Sequence, residues 1–187
     1  MKRLFKQSEI STLVAIGIGA ALFFVLGKFV AIPIPFVPNT SFNLQYGVLA
    51  IFALLYGPLA AFLIGLIGHI LIDISGYGLW FSWELTSGIV GLVIGFACLK
   101  IQAHKGQFAK KDLLSFILAI IIANAIGWIL VAPALDIWIY LEPANKVFLQ
   151  GLVAAIANAL TACIIGSLLI LAYMKSRPQQ SSLSLED

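Results

Sequence analysis

A succession of long apolar stretches is the feature that most limits how this chain can fold. The stretches cover about residues 13–32, 44–72, 85–99, 113–135 and 147–173. A helix needs about 20 apolar residues to cross the hydrocarbon core of a bilayer, and several stretches reach that length. Only 10% of the residues are charged, whereas soluble domains carry about 25%. The sequence therefore predicts an all-α integral membrane protein.

The basic residues determine the predicted number of crossings, because positive charge favours the cytoplasmic side of a membrane. Five spans would separate the basic clusters, whereas six place all of them on one side. We therefore expect the stretch at 44–72 to form two helices with a tight turn at Gly57, since proline is favoured at the first helical position and Pro58 follows. The alternative is one kinked helix. The clustered residues are Lys2, Arg3, Lys6, Lys100, Lys105, Lys110, Lys111, Lys175 and Arg177.

The predicted architecture is a six-transmembrane-helix bundle with both termini in the cytoplasm. A segment at 1–9 and a tail at 175–187 flank a transmembrane domain at 10–174. The first apolar stretch is interpreted as a retained span, because it is longer than the apolar core of a signal peptide. The six spans are expected at about 10–32, 43–56, 58–73, 84–101, 113–135 and 146–174.

Three predicted outer loops, at 33–43, 75–83 and 136–146, bring aromatic and polar side chains to one side of the membrane. Flat rings beside a few directed polar groups form pockets for ring-containing molecules. The alternative is an ordinary belt of Trp and Tyr at the membrane interface. The candidate binding residues are Asn39, Asn43, His69, Asp73, Tyr77, Trp80, Trp83, Glu84, Trp138, Tyr140 and Asn145.

His69 and Asp73 are four residues apart and therefore share one helical face. Ionisable residues inside spans usually face the protein interior, because each costs about 2.5–3.5 kcal/mol at the bilayer centre. The pair is either a structural contact or a part of a binding site. No HExxH motif or cysteine pair completes a zinc site, so neither a metal nor a cofactor is predicted. An intramembrane enzyme that uses the pair is a third alternative.

Small residues in the first span form two pairs with a spacing of four: Ala15 with Gly19, and Gly17 with Ala21. Small residues at this spacing allow another helix to approach closely. They serve either packing within the bundle or docking of a partner subunit. The chain has no phosphate-binding loop of the GxxxxGK[ST] type and no strong net charge, so neither ATP nor nucleic acid is expected to bind. A stand-alone carrier is a further alternative, although the halves do not form an inverted repeat.

Four segments together resemble the substrate-binding S-components of energy-coupling factor (ECF) vitamin transporters. They are VAIGIGAAL, LGKFVAIPIPFVPNT, YGPLAAFLIGLIGHILIDISGYG and WFSWELTSGIVGLVIG. The similarity covers about residues 8–175. It is closest to riboflavin-type S-components, and within them to the cobalamin-specific ones.

The resemblance implies a six-helix subunit of the plasma membrane that is not an enzyme. A vitamin would bind at the outer end, and the proline-rich loop after the first span would close over it before the subunit topples in the membrane. Ala15, Gly17, Gly19 and Ala21 would dock on a scaffold membrane subunit that in turn binds two ATPase subunits. Gly19 stands where the family often has an alanine. Cobalamin is the first expected ligand, and riboflavin or another water-soluble vitamin is the alternative.

Overall fold

The computed structural model describes residues 5–38, 40–76 and 78–177. Its seven α-helices are α1 (Glu9–Phe29), α2 (Gln45–Tyr56), α3 (Pro58–Ile74), α4 (Phe81–Ala97), α5 (Lys110–Asn124), α6 (Ala132–Tyr140) and α7 (Ala144–Ser176). A two-stranded antiparallel sheet, β1 (Ile32–Pro33) and β2 (Ser41–Phe42), lies between α1 and α2. A 3₁₀ turn, Ala103–Lys105, precedes α5. The π-helical segment Ala125–Val131 joins α5 to α6, so that the chain is helical from 110 to 140.

Three helical rods among the described residues are long and apolar enough to cross a membrane: Glu9–Phe29, Lys110–Tyr140 and Ala144–Ser176. Helices α2, α3 and α4 are apolar but shorter, with 12, 17 and 17 residues. At 1.5 Å per residue, α2 is only about 18 Å long. It is nevertheless the central helix, because nearly all of its residues are buried. The neighbouring helices therefore shield α2 from the surroundings.

Gly57 separates α2 from α3. Its φ of 97° lies in the left-handed region that favours glycine, and its N–H donates to the Ala53 carbonyl. Pro58 then occupies the start of α3, where its missing N–H costs nothing. The stretch at 44–72 therefore forms two helices, as the sequence predicts, rather than one kinked helix.

Lys6 joins three chain segments at one end of the bundle. Its Nζ donates to the carbonyl oxygens of Leu54 at 2.8 Å, Cys98 at 2.6 Å and Ile101 at 3.0 Å. These carbonyls belong to the last turn of α2 and to the segment after α4. A lysine ammonium is suited to this role because it carries three donors and no acceptor. The segment before α1 is thereby fixed to the ends of two other helices.

The described parts of both termini lie at this same end. Arg177 follows α7, and its Nη1 lies 3.2 Å from the position that a Cβ atom would take on Gly106, in the loop before α5. The β-hairpin segment lies at the opposite end, where Gln150 Nε2 of α7 donates to the Pro38 carbonyl at 2.8 Å. Within the described residues, the basic clusters and the aromatic loops thus occupy opposite ends of the bundle.

Lys6 gives the fold a pH dependence that can be measured. Burial lowers the pKa of its ammonium from 10.5 to about 8. The unfolded chain holds this proton more tightly, so the contribution of Lys6 to stability rises as the pH increases from about 8 to 10.5. We expect the melting temperature of the wild type to rise relative to that of Lys6→Met as the pH increases over this range. Lys105→Met removes one charge from the same end as a control, and an equal shift in both variants would contradict the prediction.

Helices α3 and α4 are in close backbone contact along a row of glycines. A Cβ atom on Gly65 would overlap the Ser87 carbonyl oxygen, and one on Gly91 would lie 2.7 Å from the Ala61 carbonyl oxygen. Glycine allows this approach because it has no side chain. The contact places the polar side chains of α3 directly beside those of α4.

Candidate ligand-binding site

A cavity of about 690 Å³ lies at the end of the bundle opposite Lys6. Its walls come from the hairpin segment, from α2, α3 and α7, from the start of α4 and from the π-helical segment. Pockets for small molecules usually measure about 300–1,000 Å³, so this cavity has the size of a ligand site. The predicted binding residues that line it are Asn43, His69, Asp73, Trp80 and Trp83.

Four other predicted binding residues lie behind the wall or away from it. Glu84 is buried, and its Oε1 accepts from the Trp80 backbone N–H at 3.2 Å. Tyr140 stacks on the Trp80 ring, with 4.1 Å between the ring centroids. Trp138 is 79% exposed, and Asn145 is exposed as well; neither lines the cavity. Asn39 and Tyr77 lie outside the described residues.

Asp136 of α6 holds the aromatic wall together. Its Oδ1 accepts from Trp80 Nε1 at 2.8 Å and from the Ser82 hydroxyl, and its Oδ2 accepts from Trp83 Nε1 at 2.9 Å. The side chain is 3% exposed, and a buried carboxylate is tolerated only when donors surround it. Sequence reasoning placed Asp136 at the outer end but did not include it among the binding residues. The signal available in the sequence was the presence of two nearby tryptophans whose indole N–H groups need hydrogen-bond acceptors.

Trp128 forms the innermost aromatic surface of the cavity. It contacts Tyr46 and Trp83 edge-on, with ring centroids 5.8 Å and 5.2 Å apart. The residue lies in the π-helical segment, a type of helix irregularity that is frequent at functional sites. Sequence reasoning missed Trp128 because it lies within an uninterrupted apolar stretch and the pattern gave no sign of the irregularity.

A hydrogen-bonded network fixes His69 from the side of α4. His69 Nδ1 lies 2.6 Å from Ser87 Oγ, and the Tyr46 hydroxyl lies 2.9 Å from the same oxygen. His69 Nε2 and Asp73 Oδ1 are 3.9 Å apart. Tyr46, His69 and Asp73 all line the cavity, so the network forms one of its polar walls. The described residues contain no group of three or more His, Cys, Asp or Glu side chains placed to hold a metal.

Four buried polar atoms on cavity-lining residues have no hydrogen-bond partner within the described part of the chain. Three are acceptors, Gln45 Oε1, Asp73 Oδ2 and Asn158 Oδ1, and one is a donor, Trp128 Nε1. A buried polar group without a hydrogen-bond partner lowers the stability of the fold by about 1–3 kcal/mol, so such groups indicate a missing partner. A ligand that mainly donates hydrogen bonds would supply it. Gln45 and Asn158 were not among the predicted binding residues, because buried amides in a span also serve helix packing.

The small residues of α1 point in two directions. Ala15 and Gly19 are buried, and a Cβ atom on Gly19 would lie 2.6 Å from the Ile64 side chain of α3. Gly17 and Ala21 are exposed, and a Cβ atom on Gly17 would meet nothing within 4 Å. The first pair therefore packs inside the bundle, and the second pair faces its surroundings.

Known proteins similar to this chain extend over almost all of its length. A UPF0397 protein of Clostridium perfringens is 52% identical over 179 residues, which are 95% of this chain and 96% of that protein. A UPF0397 protein of Lactococcus lactis subsp. cremoris is 47% identical over 182 residues, 97% of this chain and 100% of that protein. A solved S component of a bacterial ECF transporter is 20% identical and covers 90% of this chain and 96% of its own, with a TM-score of 0.60.

A family model described as "ECF-type riboflavin transporter, S component" matches residues 7–175. The match covers all seven helices except the last residue of α7, and the solved S component has the same fold. The resemblance found in the sequence is therefore confirmed. The chain belongs to the ECF-type riboflavin transporter S-component family, whose members are membrane transport subunits rather than enzymes.

Proposed function

We propose that this chain is the vitamin-binding subunit of an ECF-type importer and that the vitamin occupies the cavity of about 690 Å³. The observation that carries this proposal is the set of unpartnered buried polar atoms on residues that also line the cavity. The aromatic wall around Trp80, Trp83 and Trp128 supplies flat surfaces for a ring system. A scaffold membrane subunit and two ATPase subunits complete the importer and supply its energy.

The proposed orientation has six spans in the plasma membrane and both termini in the cytoplasm. The six would be α1, α2, α3, α4, the rod at 110–140 and α7. The position of the basic residues at the Lys6 end supports this orientation, because positive charge favours the cytoplasmic side. The cavity then opens towards the outside, where a vitamin is captured. Labelling of Lys105 from outside the cell would contradict it.

Two ligands are candidates. A cobalamin-type corrinoid is expected from the sequence resemblance, and its primary carboxamides can donate to Gln45, Asp73 and Asn158. Riboflavin is favoured by the description of the family model, and its flat three-ring system and hydroxyl groups suit the same walls and acceptors. Riboflavin is the smaller of the two ligands, and the cavity volume of about 690 Å³ therefore favours it.

Calorimetric titration of the detergent-purified chain with a panel of water-soluble vitamins tests this proposal. We expect saturable one-to-one binding of one vitamin, together with mass-spectrometric detection of the same molecule in the protein as purified. Absence of binding across the panel would contradict the vitamin-binding role. Vesicles that contain only the purified chain are expected to show no vitamin uptake, and uptake without partner subunits would contradict the role of a dependent subunit.

The exposed pair on α1 is the proposed docking surface for the scaffold subunit. Gly17→Leu together with Ala21→Leu is expected to prevent co-purification with the scaffold and ATPase subunits while vitamin binding persists, because bulky side chains prevent close helix approach. Ala134→Leu places a leucine at an exposed position of α6 and serves as the control for a bulky side chain on the surface. Normal assembly of the double variant would show that this face is not the docking surface. Gly19→Leu cannot make the distinction, since it collides with Ile64 inside the bundle.

A further inference from the structure

We infer that the cavity selects a neutral or cationic ligand and rejects anionic forms, including the phosphate ester of the vitamin that it binds. This inference rests on the proposed function and adds to it the charge of the ligand that the cavity accepts. It follows from which charged side chains surround the cavity and from how each of them is paired. The selectivity therefore depends on electrostatics rather than on shape.

Carboxylates dominate the charged groups that line the cavity. Asp73, Asp136 and Glu142 are acidic, and Lys146 is the lysine among the described lining residues. The Lys146 ammonium lies 2.6 Å from Glu142 Oε2, so its charge is already compensated. Asp73 and Asp136 have no comparable ammonium or guanidinium partner among the described residues. A further buried carboxylate, Glu84, lies directly behind the wall.

The remaining groups near the cavity do not reverse this balance. His69 is held between Ser87 and Asp73, so a proton on its ring would face a carboxylate 3.9 Å away. Lys28 donates to the Ser75 carbonyl and does not line the cavity. The two internal residues outside the described ranges, Asn39 and Tyr77, carry no formal charge at neutral pH.

Backbone dipoles are too weak to attract an anion against these carboxylates. The N-terminus of α2 reaches the cavity at Gln45 and provides the equivalent of about half a positive charge. An ionised carboxylate carries a full negative charge, twice that of the helix terminus. Sites that hold phosphate typically place arginine, lysine or free N–H groups at the ligand. Here the Trp80 and Phe81 N–H groups at the start of α4 already donate to Glu84 and Tyr140.

The expected difference in affinity between neutral and anionic ligands is large enough to measure. Two like charges about 8 Å apart, at an effective dielectric constant of about 20, repel each other enough to weaken binding roughly thirtyfold. A phosphate ester carries more than one negative charge near neutral pH. The neutral parent vitamin is not repelled in this way and can still donate hydrogen bonds to the unpartnered oxygens.

The test compares neutral and anionic forms of the same ligand in calorimetric titrations of the full chain in detergent. The probes are riboflavin with its 5′-phosphate and cyanocobalamin with one of its monocarboxylic acids. For the pair whose neutral member binds, we expect the anionic member to bind at least about thirtyfold more weakly. Equal affinity for both members would overturn the inference and leave the proposed function intact. Failure of every neutral vitamin to bind would instead contradict the proposed function, and the inference with it.

Two substitutions should change this affinity ratio in opposite directions. Asp73→Asn removes an acidic group from the cavity wall without changing the shape of the side chain, so the ratio should narrow. Lys146→Gln leaves the Glu142 carboxylate uncompensated, so the ratio should widen. Glu9→Gln removes a negative charge at the opposite end of the bundle and should leave the ratio unchanged. Ratios that stay constant in the first two variants would overturn the inference, because an effect of shape alone does not depend on these charges.

Discussion

Replacing Asp136 with alanine is expected to weaken ligand binding by at least about tenfold, since one carboxylate accepts from both indoles of the aromatic wall. The substitution leaves two indole N–H groups and the Ser82 hydroxyl without their acceptor. Trp80 and Trp83 then lose the contact that fixes their ring planes against the cavity. Calorimetric titration with the bound vitamin measures the loss, and the change in tryptophan fluorescence on binding reports the wall itself.

Two companion variants separate the positioning of the wall from a general loss of stability. Asp136→Asn keeps one carbonyl acceptor and should weaken binding less than the alanine variant does. Trp138→Ala removes a large ring from the same helix, but that ring is exposed and outside the cavity, so affinity should not change. If Asp136→Ala bound the ligand as tightly as the wild type while keeping its fold, Asp136 would not organise the site.

Gly65→Ala is expected to destabilise the fold strongly. The added methyl group overlaps the Ser87 carbonyl oxygen, and a backbone atom in a packed helix cannot rotate away. Overpacking of this kind typically costs about 1–3 kcal/mol, and contact with backbone favours the upper part of that range. A lower melting temperature in detergent is the expected result. Ligand affinity should fall as well, because α3 and α4 carry facing walls of the cavity.

Gly17→Ala is the matched control for this substitution. It makes the same chemical change in another helix, at a position where a Cβ atom has no neighbour within 4 Å. Alanine is a better helix former than glycine by about 1 kcal/mol, so the control should melt at the same temperature as the wild type or slightly above it. A melting temperature of Gly65→Ala equal to that of the control would show that α3 and α4 are farther apart than described.

Most of the fold could be predicted from the sequence because its determinants are local. The apolar stretches and the basic clusters are visible without knowledge of any tertiary contact. The break at Gly57 was also predictable, since a glycine followed by a proline favours the end of one helix and the start of the next. The order of the helices and the separation of basic and aromatic ends follow from these features.

The candidate site was less predictable because its parts depend on distant contacts and on helix rotation. Trp128 and Asn158 have no distinguishing neighbours in the sequence, and only the packed structure shows that both line one cavity. On α1, positions two residues apart differ by about 200° around the helix axis. Helix geometry therefore places the two pairs of small residues on nearly opposite sides of α1, although all four were expected to form one docking surface. The sequence does not reveal that Ala15 and Gly19 face inwards while Gly17 and Ala21 face outwards.

The limited length of α2 has a consequence for how far a captured vitamin still has to travel. In the proposed orientation, α2 begins beneath the cavity at Gln45 and ends beside Lys6 at the cytoplasmic border. Its length of about 18 Å is only three-fifths of a hydrocarbon core of about 30 Å. A molecule that touches Gln45 has therefore already passed about 12 Å below the outer border of the lipid tails. In this orientation, binding alone therefore brings the vitamin roughly two-fifths of the way across the hydrocarbon core.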